Sequence, residues 1–271
     1  MESVIQAVVN LSKVDIKHVR IAGSTADSFL FTLDAQVYRT GPFYATISAM
    51  SLDLVGPKGR YAKLELPQIS ITPRETRIRI SDQKIEILDM SAFHATTEHL
   101  TKASKATLNL ENGQGTVKMM GISFPLKFSK KCEILGMAGP RTEFFATDDG
   151  GDAVFAKVWN PSPLELDLGI AEFECRNADG RAVARVRGRM GVLRGESKHE
   201  MDVVVTAEDN MTSAVGMSEL WMVGVGVEGD TDTWMNEAIR SYNIELPLTP
   251  EMLRLIGRKK NEVLAANGVT V

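Results

Sequence analysis

Phe29-Leu30-Phe31-Thr32-Leu33-Asp34-Ala35-Gln36-Val37-Tyr38 sets Phe29, Phe31, Leu33, Ala35 and Val37 two residues apart, and the chain turns straight after it at Thr40-Gly41-Pro42. Side chains two apart share one side of an extended chain, so the run reads as a β-strand with one face in a core. The same plan returns later in the sequence. Val37-Tyr38 matches Val158-Trp159, Pro42 matches Pro163, Gly59-Arg60 matches Gly180-Arg181 and Glu75 matches Glu196, each pair 121 residues apart. Farther along the offset becomes 120, as Asp89 with Asp209, Leu100 with Leu220, and Phe124-x-Leu126 with Ile244-x-Leu246 show. A period this long exceeds the unit of a solenoid and reads as two copies of one domain.

Working outward from the first strand, Tyr44 to Leu54 forms a second extended run that changes register and stops at Gly56-Pro57-Lys58-Gly59. Tyr61–Leu66, Gln68–Thr72, Arg77–Ile80 and Lys84–Leu88 add short β segments. The second copy follows with Ala153–Trp159, the turn Asn160-Pro161-Ser162-Pro163, Leu164–Cys175, the hairpin Asn177-Ala178-Asp179-Gly180, then Arg181–Leu193 and Glu196–Thr206. Short strands punctuated by turn residues at this spacing predict sandwiches. One helix is expected in each copy, near Ser91–Lys105 behind Asp89 and near Met211–Trp221 behind Asp209 or Asn210, because a side-chain oxygen there caps free backbone amides. Leu110–Gly115 and its counterpart Gly224–Gly229 read as hairpins, Trp234–Arg240 as a short helix, and Pro250–Leu264 as a C-terminal helix. The expected fold is mainly β: two tandem immunoglobulin/fibronectin-like β-sandwich domains, residues 1–134 and 135–271, each with one short helix, plus that C-terminal helix.

Composition narrows the function classes. A formal charge of −4 gives no electrostatic pull toward nucleic acid. Arg74, Arg77 and Arg79, and Arg181, Arg185, Arg187, Arg189 and Arg194, are spaced as a solvated sheet face rather than a phosphate site. The only cysteines, Cys132 and Cys175, occupy non-equivalent positions, so no disulfide repeats per domain and a reducing, cytoplasmic setting is expected. The first ten residues lack a basic segment, and Gln6 and Asn10 interrupt their apolar run, so neither a signal peptide nor an integral membrane span is expected.

Val14-Asp15-Ile16-Lys17-His18-Val19-Arg20-Ile21, then Asp27-Ser28-Phe29, Gly41-Pro42 and Lys157-Val158-Trp159-Asn160-Pro161 with the Leu-rich strand behind it, resemble the LEA type 2 (water-stress) β-sandwich domains. More narrowly they resemble the fungal tandem-domain proteins of unknown function that carry this fold. In that family the β domains follow a transmembrane helix and are associated with the vacuolar membrane, which implies a lipid-proximal or scaffold role. Here the first residues already belong to the domain, so a soluble copy put to another use is expected.

Chemistry-bearing patterns are few. Gly224-Val225-Gly226-Val227-Glu228-Gly229 satisfies G-x-G-x-x-G, but a dinucleotide loop must join a parallel strand to a helix, and this one sits in a β region. His94 and His99 are five apart, about 140° around a helix, and cannot share a metal. His94 and Glu98, four apart, share a face and are the candidate acid/base pair, with a surface hydrogen-bonded pair as the alternative. Glu143, Asp148, Asp149 and Asp152 fit no calcium loop and read as an acidic linker. No metal or other cofactor is expected. Trp159, Trp221, Trp234 and Tyr242, with Tyr38 in the first copy, are the candidate substrate-binding residues, since aromatic and methionine side chains suit a cavity for a large apolar molecule as well as a core. The expected activity is binding of an apolar lipid or natural product within or between the sandwiches. A cofactor-independent cyclase or isomerase acting through a shaped pocket is one alternative, and a structural or interaction module is another.

Overall fold

A computed structural model describes residues 2–73, 75–146, 153–204, 219–228, 234–240, 242–246, 249–252 and 254–255. The chain divides into two compact units, Met1–Pro140 with Pro161–Leu166, and Arg141–Asn160 with Asp167–Val271. Both are built from strands, as the alternation predicts.

The first unit opens with helix α1 (Glu2–Leu11), followed by strands β1 (Lys13–Ala22), β2 (Ser28–Tyr38), β3 (Ala45–Ile47), β4 (Met50–Gly56), β5 (Gly59–Leu66), β6 (Ile69–Ile71) and β7 (Thr76–Glu86). Helix α2 (Met90–Lys102) and strands β8 (Lys105–Met119) and β9 (Ile122–Leu135) complete it. One layer has the order β1-β2-β7, with Leu164–Leu166 pairing parallel to β1. The other runs β5-β4-β8-β3-β6, with β9 on β8. Phe29, Phe31, Leu33, Ala35 and Val37 of β2 are all buried, so the strand with the clearest alternation faces the core.

The second unit holds β10 (Arg141–Ala146), β11 (Ala153–Asn160), β12 (Leu164–Asn177) from Asp167 onward, β13 (Ala182–Val192), β14 (Gly195–Val204), β15 (Leu220–Val227), helix α3 (Trp234–Arg240) and β16 (Asn243–Leu246). Its pairing repeats the first. β10-β11-β14 corresponds to β1-β2-β7, and β13-β12-β15-β16 to β5-β4-β8-β9. The duplication read from residue spacing is thus also a duplication of hydrogen-bonded topology. One connection differs: β13 pairs with β14 over Arg185–Arg187, whereas β5 and β7 share no ladder and only the bridge Ala62↔Ile87 forms beside them.

Several sequence expectations are corrected by irregular backbone. The two segments expected at Arg77–Ile80 and Lys84–Leu88 are one strand, β7, whose ladder with β2 shifts between Phe31 and Leu33. Asp82 sits there at φ 46° and bonds the Thr32 hydroxyl through both its carboxylate and its amide, so a bulge interrupts the alternation without ending the strand. Leu110–Gly115 is no hairpin either. It lies within β8, where the register shifts between Leu110 and Gly113 and Asn112 adopts φ 59°; the chain reverses later, at Met120-Gly121. Gly224–Val227 of its counterpart lie in β15, with Gly229 outside the described residues, and Leu220 and Trp221, expected to end a helix, belong to that strand. The rest of that expected helix, Met211–Ser218, lies outside the described residues. Trp234–Arg240 is helical as read, and of the expected C-terminal helix Pro250–Met252, Arg254 and Leu255 are helical, the remainder lying outside the described residues.

Helix α2 starts where its cap predicts. The Asp89 carboxylate accepts from the Ala92 amide at 2.9 Å, and Phe93 stacks on Phe29 at 5.3 Å and meets Tyr61 at 5.8 Å, seating the helix on the first unit's core. Replacing Asp89 with Ala should therefore lower unfolding free energy by about 1 kcal/mol. A denaturant titration should show the lower midpoint with unchanged slope.

Candidate functional site

At one end of the first unit the two layers stand apart and leave a cavity of about 330 Å³. Val37 near the end of β2 and Ile78 near the start of β7 line it from one layer. Ala45, Ile47, Ile69, Ile71, Val117 and Met119 line it from the other, and Phe128 closes a flank from β9. The strands β3 and β6 are only three residues each, too short to carry the second layer across this end, and α1 covers the gap with Val8 and Val9.

The helix is held by polar contacts along β9. The Gln6 side-chain amide donates to the Lys127 carbonyl at 2.8 Å and its oxygen accepts from the Lys127 amide at 3.2 Å, so one side chain takes up both backbone groups of an edge-strand residue. Lys130 donates to the carbonyls of Asn10 at 2.9 Å and Ser12 at 2.6 Å, a cation placed against the negative end of the helix. Burial holds the Lys130 ammonium below its ordinary range. Next along β9, burial raises the Cys132 thiol to about 11, and it stays protonated at neutral pH.

The lining contains no ionisable side chain. Its two hydroxyls face the protein: Ser12 donates to the Val9 carbonyl at 2.7 Å and Thr40 to the Thr72 carbonyl at 2.8 Å. A guest therefore meets hydrocarbon and thioether on every side and has no fixed polar partner to satisfy.

The seven residues singled out by sequence do not line this cavity. Tyr38 follows the lining residue Val37 and points its hydroxyl to the Gln36 side-chain oxygen on the other face of β2. His94 is half-buried on α2, and the Glu98 carboxylate accepts from Lys102 at 2.8 Å, which keeps its pKa below the ordinary range. Trp159 is 49% exposed on β11, opposite Glu196 and Arg141. Trp221 is half-buried on β15, and Trp234 is buried at the start of α3. The Tyr242 ring meets the edge of Phe173 at 6.1 Å, and burial raises its phenol pKa. Residue type singled out these aromatics, whereas the cavity is lined mainly by aliphatic side chains, with Phe43 and Phe128 among them, that sequence alone cannot tell from ordinary core.

The glycine motif has a structural use. A Cβ on Gly224 would lie 1.8 Å from the Ile239 carbonyl oxygen, and one on Gly226 would lie 2.6 Å from the Asn236 side-chain oxygen, which accepts from the Val227 amide at 2.7 Å. These glycines let α3 lie directly on β15. Five members of the arginine rows form sheet-face ion pairs, Arg77 and Arg79 with Asp34, Arg185 with Glu174, Arg187 with Glu172 and Glu228, and Arg189 with Asp167, while Arg74 lies outside the described residues. Among the described residues no group of three His, Cys, Asp or Glu side chains could hold a metal ion. Of the acidic linker, Glu143 is exposed on β10, while Asp148, Asp149 and Asp152 lie outside the described residues.

Residues 59–175 match a family model. It is described as "Protein of unknown function (DUF3712)", and the matched stretch is slightly shorter than one repeat of the chain. No curated protein matches. Among solved structures, similarity extends to the Salmonella enterica SafA pilin in complex with the SafB chaperone, at 10% identity over 88% of this chain and 96% of that one, with a TM-score of 0.21. The class 5 fimbriae chaperone CfaA shares 8% identity over 88% and 100% of the two chains, with a TM-score of 0.20. CBD12 from CALX1.2 shares 13% over 82% and 83%, with a TM-score of 0.19. Likenesses this slight carry no functional argument.

Two outcomes are expected. Removing both anchors of the covering helix, with Gln6→Ala and Lys130→Ala together, should speed amide exchange across Val8–Ser12 while β2 and β8 stay protected, as read by hydrogen–deuterium exchange. Gly224→Ala should destabilise the protein by about 1–3 kcal/mol, because the clash is with backbone and cannot be relieved by a rotamer change; thermal unfolding measures it.

Proposed function

We propose that the first unit binds an apolar small molecule, of lipid or natural-product chemistry, in the cavity beneath α1. The observation that carries this reading is the unbroken apolar lining, in which both Ser12 and Thr40 direct their hydroxyls to backbone carbonyls. A volume of about 330 Å³ lies at the lower end of the range for small-molecule sites and far exceeds the voids of a packed core. The resemblance to LEA type 2 domains, the division into domains 1–134 and 135–271 and a cytoplasmic setting belong to the same proposal. Two buried free thiols fit a reducing compartment, and among the described residues no helix is long and apolar enough to cross a membrane.

The cavity favours binding over turnover. A cyclase acting there would have neither acid, base nor oxyanion donor among the lining side chains, and confinement would have to supply the whole rate effect. His94 and Glu98, the acid/base candidates, do not line it.

Binding should follow hydrocarbon content. In a series of saturated fatty alcohols competing with a fluorescent apolar dye, each added methylene should tighten Kd about fourfold, from about 0.8 kcal/mol per methylene, until the cavity is full. Affinity should stay flat between about pH 5 and 9, since no lining group titrates in that range. Ala45→Phe, which adds a ring where a small half-buried side chain lines the space, should weaken dye binding at least about tenfold with little change in unfolding midpoint. An affinity indifferent to chain length and to Ala45→Phe would exclude this cavity as the site.

A further inference from the structure

We propose that the rim of this cavity is a docking surface for an anionic lipid bilayer. The inference rests on the ligand reading for what docking would deliver, and on the rim's own geometry for the docking itself.

Two loops form the rim. Phe43 and Met120 each line the cavity and yet are 54% and 86% exposed, so each side chain belongs to both the interior and the outer surface. Their neighbours Tyr44 and Ile122 are 74% and 55% exposed. Four large side chains are thus exposed on the two loops that border the cavity, two of them in its lining, whereas exposed apolar residues on a soluble surface are ordinarily scattered.

The β8–β9 turn makes the choice of residue informative. Met120 and Gly121 both have positive φ, 50° and 83°, the pattern of a two-residue turn that favours Asn-Gly. Methionine is held there in a left-handed conformation that its Cβ disfavours, at the most exposed apolar position of the molecule's described residues. Neither turn geometry nor core packing accounts for it. Insertion into an apolar phase does.

Charge selects the partner. Arg39, beside Thr40 on the first loop, and Lys118, between the lining residues Val117 and Met119, are both exposed, and no ion pair among the described residues engages either one. The nearby carboxylates are occupied: Asp15 binds Lys17, and Glu75 accepts from Gln36. Apolar tips flanked by free cations, on a chain with net charge −4, match a hydrocarbon interior beneath an anionic surface. Docking would set the cavity mouth against the acyl chains, so a guest could pass without crossing water.

The test is sedimentation with phosphatidylcholine vesicles, with and without phosphatidylserine, at low and high salt. The wild type should bind the phosphatidylserine vesicles more tightly, and salt should weaken that binding. Met120→Asn should raise the denaturation midpoint, because Asn-Gly suits the turn, and should reduce vesicle partitioning about tenfold. Phe43→Ser should cause a comparable loss. Arg39→Gln and Lys118→Gln should each cost about fivefold on anionic vesicles and leave dye binding in solution unchanged. The proposal is overturned if vesicles fail to sediment the wild type, if Met120→Asn leaves partitioning intact or lowers stability, or if the rim proves to be covered by a second copy, seen as a concentration-dependent dimer that Met120→Asn dissociates. Dye binding without vesicle binding would overturn docking alone. Vesicle binding retained by Ala45→Phe and by wild type, with no dye uptake by either, would overturn the ligand reading and leave docking standing.

Discussion

The attachment of α1 to β9 governs what the first unit can do. A sandwich whose layers part at one end exposes apolar surface to water, and the chain covers it with a single ten-residue helix. Helices this short are marginal on their own, so the cover holds because tertiary contacts fix it. Gln6 substitutes for a neighbouring strand by taking both the amide and the carbonyl of Lys127, and Lys130 secures the helix end through two carbonyls. Polar contacts at the margin leave Val8 and Val9 to face the cavity.

Much of the architecture was legible because β structure writes itself in alternation. β2 needed nothing more, and Asp89 marked the start of α2 through its side-chain oxygen. Legibility failed where backbone geometry broke the period: the bulge at Asp82 divided one strand into two on paper, and left-handed Asn112 looked like a turn inside a continuous strand. Helix α1 was missed because Gln6 and Asn10 read as interruptions of an apolar run, whereas Gln6 is its anchor. The cavity was illegible for a different reason. Val37, Ile47, Ile78 and Val117 obey the same alternation whether the space before them is filled or empty, and emptiness depends on layer spacing that no local pattern encodes. Phe43-Tyr44 and Met119-Met120, apolar residues at turns, were the available signal.

The duplicated topology also shows how one plan accommodates different contents. In the second unit Phe144 and Phe173 meet at 5.5 Å, and Tyr242 abuts Phe173. Met190, Met201 and Met222 are buried in the same unit. The first unit carries as many aromatic and methionine side chains as the second, so residue type alone does not mark where the cavity lies.

The ladder between β13 and β14 has a mechanical meaning. In the second unit that ladder stitches the layers into one continuous sheet, so separating them would break backbone hydrogen bonds and expose their donors to solvent. The first unit has only the bridge Ala62↔Ile87 at the equivalent seam, and its layers are otherwise coupled through side chains, which re-form contacts after small displacements. One copy is therefore stiff across its seam and the other compliant. The width of the cavity is then set by side-chain contacts, the Thr40 hydroxyl on the Thr72 carbonyl among them, and by no backbone ladder between β5 and β7.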